Sequence, residues 1–170
     1  MRHIRLIAAT AAVLLLATFA SAQNWFFNDP INAAQAVPAS VSPATGTAVG
    51  NYDDVTNVMN ITVTASGYLS PRIGAHIHGP APPGVTANII FDLGIGGAGN
   101  NYNNVFSVFN LSAAQEIDFL NGLYYVNIHT NNHGAGATRG QLNPVPEPAS
   151  MIALAAGSAL LLRRRKRLRK

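Results

Sequence analysis

Val58-Met59-Asn60-Ile61-Thr62-Val63-Thr64 repeats with a period of two. In an extended chain that period puts Met59, Ile61 and Val63 on one face and Val58, Asn60 and Thr62 on the other, the pattern of a half-buried strand. Outward from this stretch, short segments of the same kind recur between Gly, Pro and Asn clusters. They predict strands at Trp25–Phe27, Thr45–Tyr52, Val55–Ser66, Ile73–His78, Asn88–Leu93, Val105–Phe109, Tyr124–Thr130 and Thr138–Leu142. Evenly spaced short strands with turn signals between them point to an all-β fold, an antiparallel Greek-key sandwich or barrel of about eight strands. Asn51-Tyr52-Asp53-Asp54 reads as a hairpin turn. One short helix is expected over residues 113–120. Ser112 and Gln115 have the spacing of a capping box, Leu111 can staple the entry, and Gly122 suits the exit. On this helix Ala113, Glu116 and Asp118 should be wetter than Ile117 and Leu120.

The two ends differ in kind from this body. Arg2 and Arg5 precede fourteen uncharged residues, Leu6 to Phe19, and Ala20-Ser21-Ala22 has the small-x-small form of a cleavage site. Residues 1–22 therefore read as a secretory signal peptide. At the other end Pro146-Glu147-Pro148 precedes a short apolar run, Met151 to Leu162, and seven cations among the last eight residues. Twelve residues make a helix of about 18 Å, short for a bilayer core of roughly 30 Å. The terminal cations favour keeping that end on the cytoplasmic side, as a transient anchor in the inner membrane. Residues 144–170 resemble the PEP-CTERM sorting tail of Gram-negative bacteria. The resemblance implies an exosortase-type sorting enzyme as partner, with Pro146, Glu147 and Pro148 as the motif. It also implies an exported precursor bound for the cell surface or extracellular matrix.

The ends also set the overall charge of +4. Between them only Arg72 and Arg139 stand against Asp29, Asp53, Asp54, Asp92, Glu116 and Asp118, a net of −4. Nucleic-acid binding loses its electrostatic basis, since phosphate contacts need clustered Lys and Arg. With no cysteine in the chain, thiolate nucleophiles, Cys-ligated zinc and iron–sulfur clusters are excluded. The Gly- and Asn-rich stretch from Gly94 to Asn104 lacks the Gly-Lys-Ser/Thr of a phosphate loop and reads as flexible. No Gly-x-Ser-x-Gly elbow and no EF-hand spacing occur.

Three separated blocks of the body resemble the CHRD domain, first described in chordin and common in exported bacterial proteins. They are Ala34-Gln35-Ala36-Val37-Pro38 with Ser42-Pro43-Ala44-Thr45-Gly46-Thr47-Ala48, then Ala75-His76-Ile77-His78-Gly79-Pro80-Ala81, then Leu111 to Gln115 with Gly122 to Thr130 and Arg139-Gly140-Gln141-Leu142. The chain departs from the family at Ala36, where an acid is usual, and at Gly136-Ala137-Thr138, where Gly-Glu-Ile is usual. The resemblance covers about residues 25–142, nearly all of a single domain spanning residues 23–143, and implies an all-β fold and a secreted location, without a reaction.

His76 and His78 carry the chemistry this body offers. Residues i and i+2 of a strand share a face, so both rings lie together while Ile77 turns inward. Tyr125, Asn127 and His129 share a face by the same rule. If the two strands are neighbours, His76, His78 and His129 converge as a three-histidine site for copper or zinc with one position open. The alternative is a buried polar network that fixes strand register. His133, among Asn131, Asn132 and Gly134, is expected in an exposed loop, and Arg139 is expected to pair with an acid across strands. The function these features imply is a non-enzymatic surface or matrix module, whose loops 79–87 and 94–104 meet extracellular polysaccharide or surface proteins. The alternative is a metal-binding protein or metal-dependent oxidoreductase.

Overall fold

A computed structural model describes residues 23–96, 99–147 and 157–158. The signal peptide, Pro148, the apolar tail segment apart from Gly157 and Ser158, and the basic terminus lie outside the described residues. Among the described residues no helix is long and apolar enough to cross a membrane.

The strands are β1 (Asn24–Asn32), β2 (Thr45–Asp53), β3 (Val58–Ser66), β4 (Arg72–His78), β5 (Ile89–Asp92), β6 (Tyr102–Asn110), β7 (Tyr125–Thr130), β8 (His133–Gln141) and β9 (Val145–Pro146), with one helix, α1 (Ala113–Leu120), between β6 and β7. They form one antiparallel sheet in the order β5-β4-β7-β8-β1-β2-β3-β6, with β9 paired to β1, and the sheet curls into a half-barrel. The expected all-β class with a single short helix holds. Inward residues of successive strands fill the curl: Phe27 and Ile31, Ala48 and Tyr52, Met59, Ile61 and Val63, Ala75 and Ile77, Val126 and Ile128, all buried. The two sheet edges, β5 and β6, meet through Phe91 and Phe109, whose rings stack at 4.4 Å.

Local chemistry explains where the elements start and stop. The β2–β3 turn falls at residues 54–57, later than Asn51–Asp54, because the Asp53 carboxylate accepts from the backbone N–H groups of Val55 (2.8 Å) and Thr56 (3.2 Å). β1 runs well beyond Phe27 and takes in Pro30, at a point where β1 is paired only to β2. A strand tolerates proline where one side of its backbone has no ladder to complete. His133 opens β8 opposite Thr130, so it is a half-buried strand residue and not an exposed loop residue. The hairpin with β7 imposes that extension on a Gly-Ala-Gly-Ala stretch with little strand propensity of its own.

α1 begins with the expected capping box: Gln115 N–H donates to Ser112 Oγ and Ser112 N–H donates to Gln115 Oε1. Its buried residue is Phe119; Leu120 is half-buried and drier than Ala113, as expected, but Ile117 is 62% exposed, against the expected order. An eight-residue helix across a barrel end sends few side chains into the core, here Phe119 with Leu120 packed beside it. The Phe119 ring is edge-on to Phe27 (5.7 Å) and Tyr52 (5.5 Å).

Candidate metal centre

β4 and β7 are neighbours, with Gly74 opposite His129, His76 opposite Asn127 and His78 opposite Tyr125. Since Ala75 and Ile77 point into the core, His76 and His78 project from the outer face, and His129 joins them from the adjacent strand. The convergence that the sequence left conditional on strand order is therefore geometric fact. One ring nitrogen from each of the three lies within 4.8 Å of the others. The ring centroids of His76 and His129 are 5.0 Å apart, and those of His78 and His129 are 5.9 Å apart.

Each ring is held in place by something specific. His78 Nδ1 is 2.9 Å from the Ala87 carbonyl and His129 Nδ1 is 3.0 Å from the Gly134 carbonyl, so both Nδ1 atoms carry the proton as donors. That fixes the tautomer and leaves each Nε2 as a bare lone pair. His78 Nε2, His129 Nε2 and His76 Nδ1 are buried without a hydrogen-bond partner. Burial first, and then the neighbouring rings, keeps His78 and His129 below the ordinary imidazole pKa, against the opposing pull of their carbonyl partners. The rings are consequently neutral near pH 7, the state a metal ligand needs.

His76 lies over Gly74, the one outward position of β4 without a side chain. A Cβ there would sit 3.0 Å from His76 Cε1 and 3.3 Å from Nε2. Gly74→Ala should therefore push the ring out of place, and an ion held by the three rings would bind about 10–100-fold more weakly, the range for losing a ligand's support. Direct titration checks this, and unchanged affinity would mean the ring's seat is dispensable. Asn127 has a comparable requirement. A Cβ on Gly136, which sits at φ +141°, would meet Asn127 Oδ1 at 2.4 Å, so only glycine leaves that amide its space.

Beside the histidines lies a layered support. The Tyr125 ring stacks on His78 at 5.1 Å with 9° between planes, and the Arg139 guanidinium lies 3.5 Å over the Tyr125 ring. The segment between β4 and β5 folds across this layer. Arg139 donates to the carbonyls of Val85 (2.8 Å) and Pro82 (3.2 Å) and to Gln141 Oε1 (2.7 Å), and Ala87 N–H donates to the Tyr125 hydroxyl (2.9 Å). Gln141 adds donations to the Ala81 and Gly122 carbonyls. Arg139 thus meets carbonyl and amide oxygens, not the acid expected across strands. Its neighbours on β8 are Thr138 and Gly140, and the loop it clamps brings backbone oxygens only. The clamp was hidden from the sequence because its loop acceptors, Val85 and Pro82, lie more than fifty residues away. The other arginine of the body behaves alike: Arg72 donates to the Ile95, Gly96 and Gly99 carbonyls, tying down part of the Gly-rich loop.

At the far end, Val145 and Pro146 pair with Phe26 and Trp25, and Glu147 N–H donates to the Asn24 carbonyl (2.9 Å), so Pro146 and Glu147 sit against the first strand of the sheet.

The family model of the CHRD domain matches residues 27–142, and that of the PEP-CTERM protein-sorting motif matches residues 144–167. Comparison with curated proteins and with solved structures returns no match. The sorting motif implies an exported precursor, membrane-anchored and processed through an exosortase system. The histidine cluster and all of the half-barrel except the start of β1 and β9 lie within the matched residues, and the chain belongs to the CHRD domain family.

Proposed function

We propose that this protein is a surface or extracellular-matrix module of a Gram-negative bacterium that holds one copper or zinc ion at His76, His78 and His129. The observation that supports the reading is one ring nitrogen from each histidine within 4.8 Å of the others, in three rings that each keep a buried nitrogen without a partner. A buried polar nitrogen without a partner costs free energy, about 1–3 kcal/mol each. Three of them converging is a poor way to fix strand register, which the β4–β7 ladder already does. Three imidazoles on a cation satisfy all three lone pairs at once and leave a position for an external ligand. The exposed segment around residues 82–86 borders the site and is the part of the surface that meets polysaccharide or neighbouring proteins.

Equilibrium dialysis of the purified protein against copper or zinc tests the metal. One equivalent should be retained per chain, and none by His76→Ala/His78→Ala; equal retention by both proteins would dismiss the site. Delivery is tested separately. Deleting Arg163–Lys170 should abolish stable retention of the precursor in the inner membrane, read by fractionation. Processing unaffected by the deletion would remove the basic terminus from the sorting signal.

A further inference from the structure

We propose that the site takes cuprous copper in preference to a divalent ion, because a buried guanidinium with no carboxylate partner stands behind the His78 ring. The proposal rests on the three-histidine reading and names the ion that reading left open.

The local charge balance carries it. The cluster consists of three imidazoles with no carboxylate among its members. Arg139 is 2% exposed, and its guanidinium is met by the Val85 and Pro82 carbonyls and the Gln141 amide oxygen, none of which cancels its charge. Strand order β4-β7-β8 sets Tyr125 between His78 and Arg139, so the positive charge is separated from the metal ligand by one aromatic ring. Asp92 stands opposite His76 on β5, but it is exposed, and its Oδ1 is engaged by Gly94 N–H at 2.7 Å, where water screens it. Asn127 fills the row between His76 and Arg139 with an uncharged amide whose Oδ1 has no partner.

A fixed positive charge repels a dication about twice as strongly as a monocation. At roughly 10 Å and an effective dielectric near 20, the extra unit of charge corresponds to a discrimination of about tenfold. Three neutral nitrogen donors suit cuprous copper without a fourth ligand, whereas a four-coordinate divalent ion needs a further donor.

The test is a pair of competition titrations of the full mature chain. Cu(I) is titrated anaerobically against a chromophoric Cu(I) chelator, and Zn(II) against a chromophoric Zn(II) chelator. The wild-type protein should bind Cu(I) more tightly than Zn(II). Arg139→Gln should shift the affinity ratio about tenfold toward Zn(II), while Arg139→Lys, which keeps the charge, should leave it in place. Asn127→Asp adds a carboxylate with Arg139 retained, so it should produce the same shift even if Arg139→Gln does not fold. A wild-type protein that prefers Zn(II), or a ratio untouched by either charge change, would overturn the proposal. Binding of neither ion would overturn the three-histidine reading itself.

Discussion

Copper or zinc at about a hundred times its dissociation constant should raise the melting midpoint of the protein by on the order of 10 °C. An ion that binds only the native state adds RT ln(1 + [L]/Kd) to stability, about 2.7 kcal/mol at that excess. For a domain of this size each kcal/mol moves the midpoint by several degrees. The same ion should leave His76→Ala/His78→Ala where it melts without metal, because one imidazole cannot hold the ion against water. His133→Ala is the control: His133 lies outside the cluster, 3.5 Å from the Thr130 hydroxyl, and its removal should preserve the full rise. A rise of equal size in the double variant would move the metal elsewhere on the chain.

Phe119→Ala should destabilise the protein by about 3–5 kcal/mol, the cost of emptying a buried aromatic site. The ring is fully buried and packs on Phe27, Tyr52 and Tyr124, which come from two strands and from the segment leading into β7. Ile117 points to solvent and cannot refill the space. Ile117→Ala should accordingly stay within about 0.5 kcal/mol of wild type. Denaturant unfolding followed by tyrosine and tryptophan emission gives both values, and a loss below about 1 kcal/mol for Phe119→Ala would show that α1 is not the plug of the half-barrel. Because the histidines sit on the outer face of β4 and β7, away from the core that Phe119 fills, the variant that still folds should retain its metal affinity.

These two results probe features of different legibility. The Met59, Ile61 and Val63 alternation named its own buried face, and the Ser112–Gln115 spacing named the start of α1, because both depend on neighbours within four residues. The wetting of Ile117 was misread for the opposite reason. Ile117 and Leu120 form a plausible apolar stripe, but the end of a barrel offers a short helix one hole, and Phe119 fills it. The His-x-His pair on β4 was visible as a same-face pair, whereas its partner His129 depended on β7 lying beside β4.

The period of two, the capping chemistry and the absence of cysteine are local or compositional properties, so the amino-acid order alone determined an all-β, disulfide-free body between two dissimilar ends. Which strands touch is set by how one curled sheet buries all its apolar faces together. That choice alone brought His129 to His76 and His78, gave Arg139 backbone oxygens in place of an acid, and laid Pro146 along the first strand. A contact across fifty or a hundred residues leaves no mark in either segment until the chain has closed around its core.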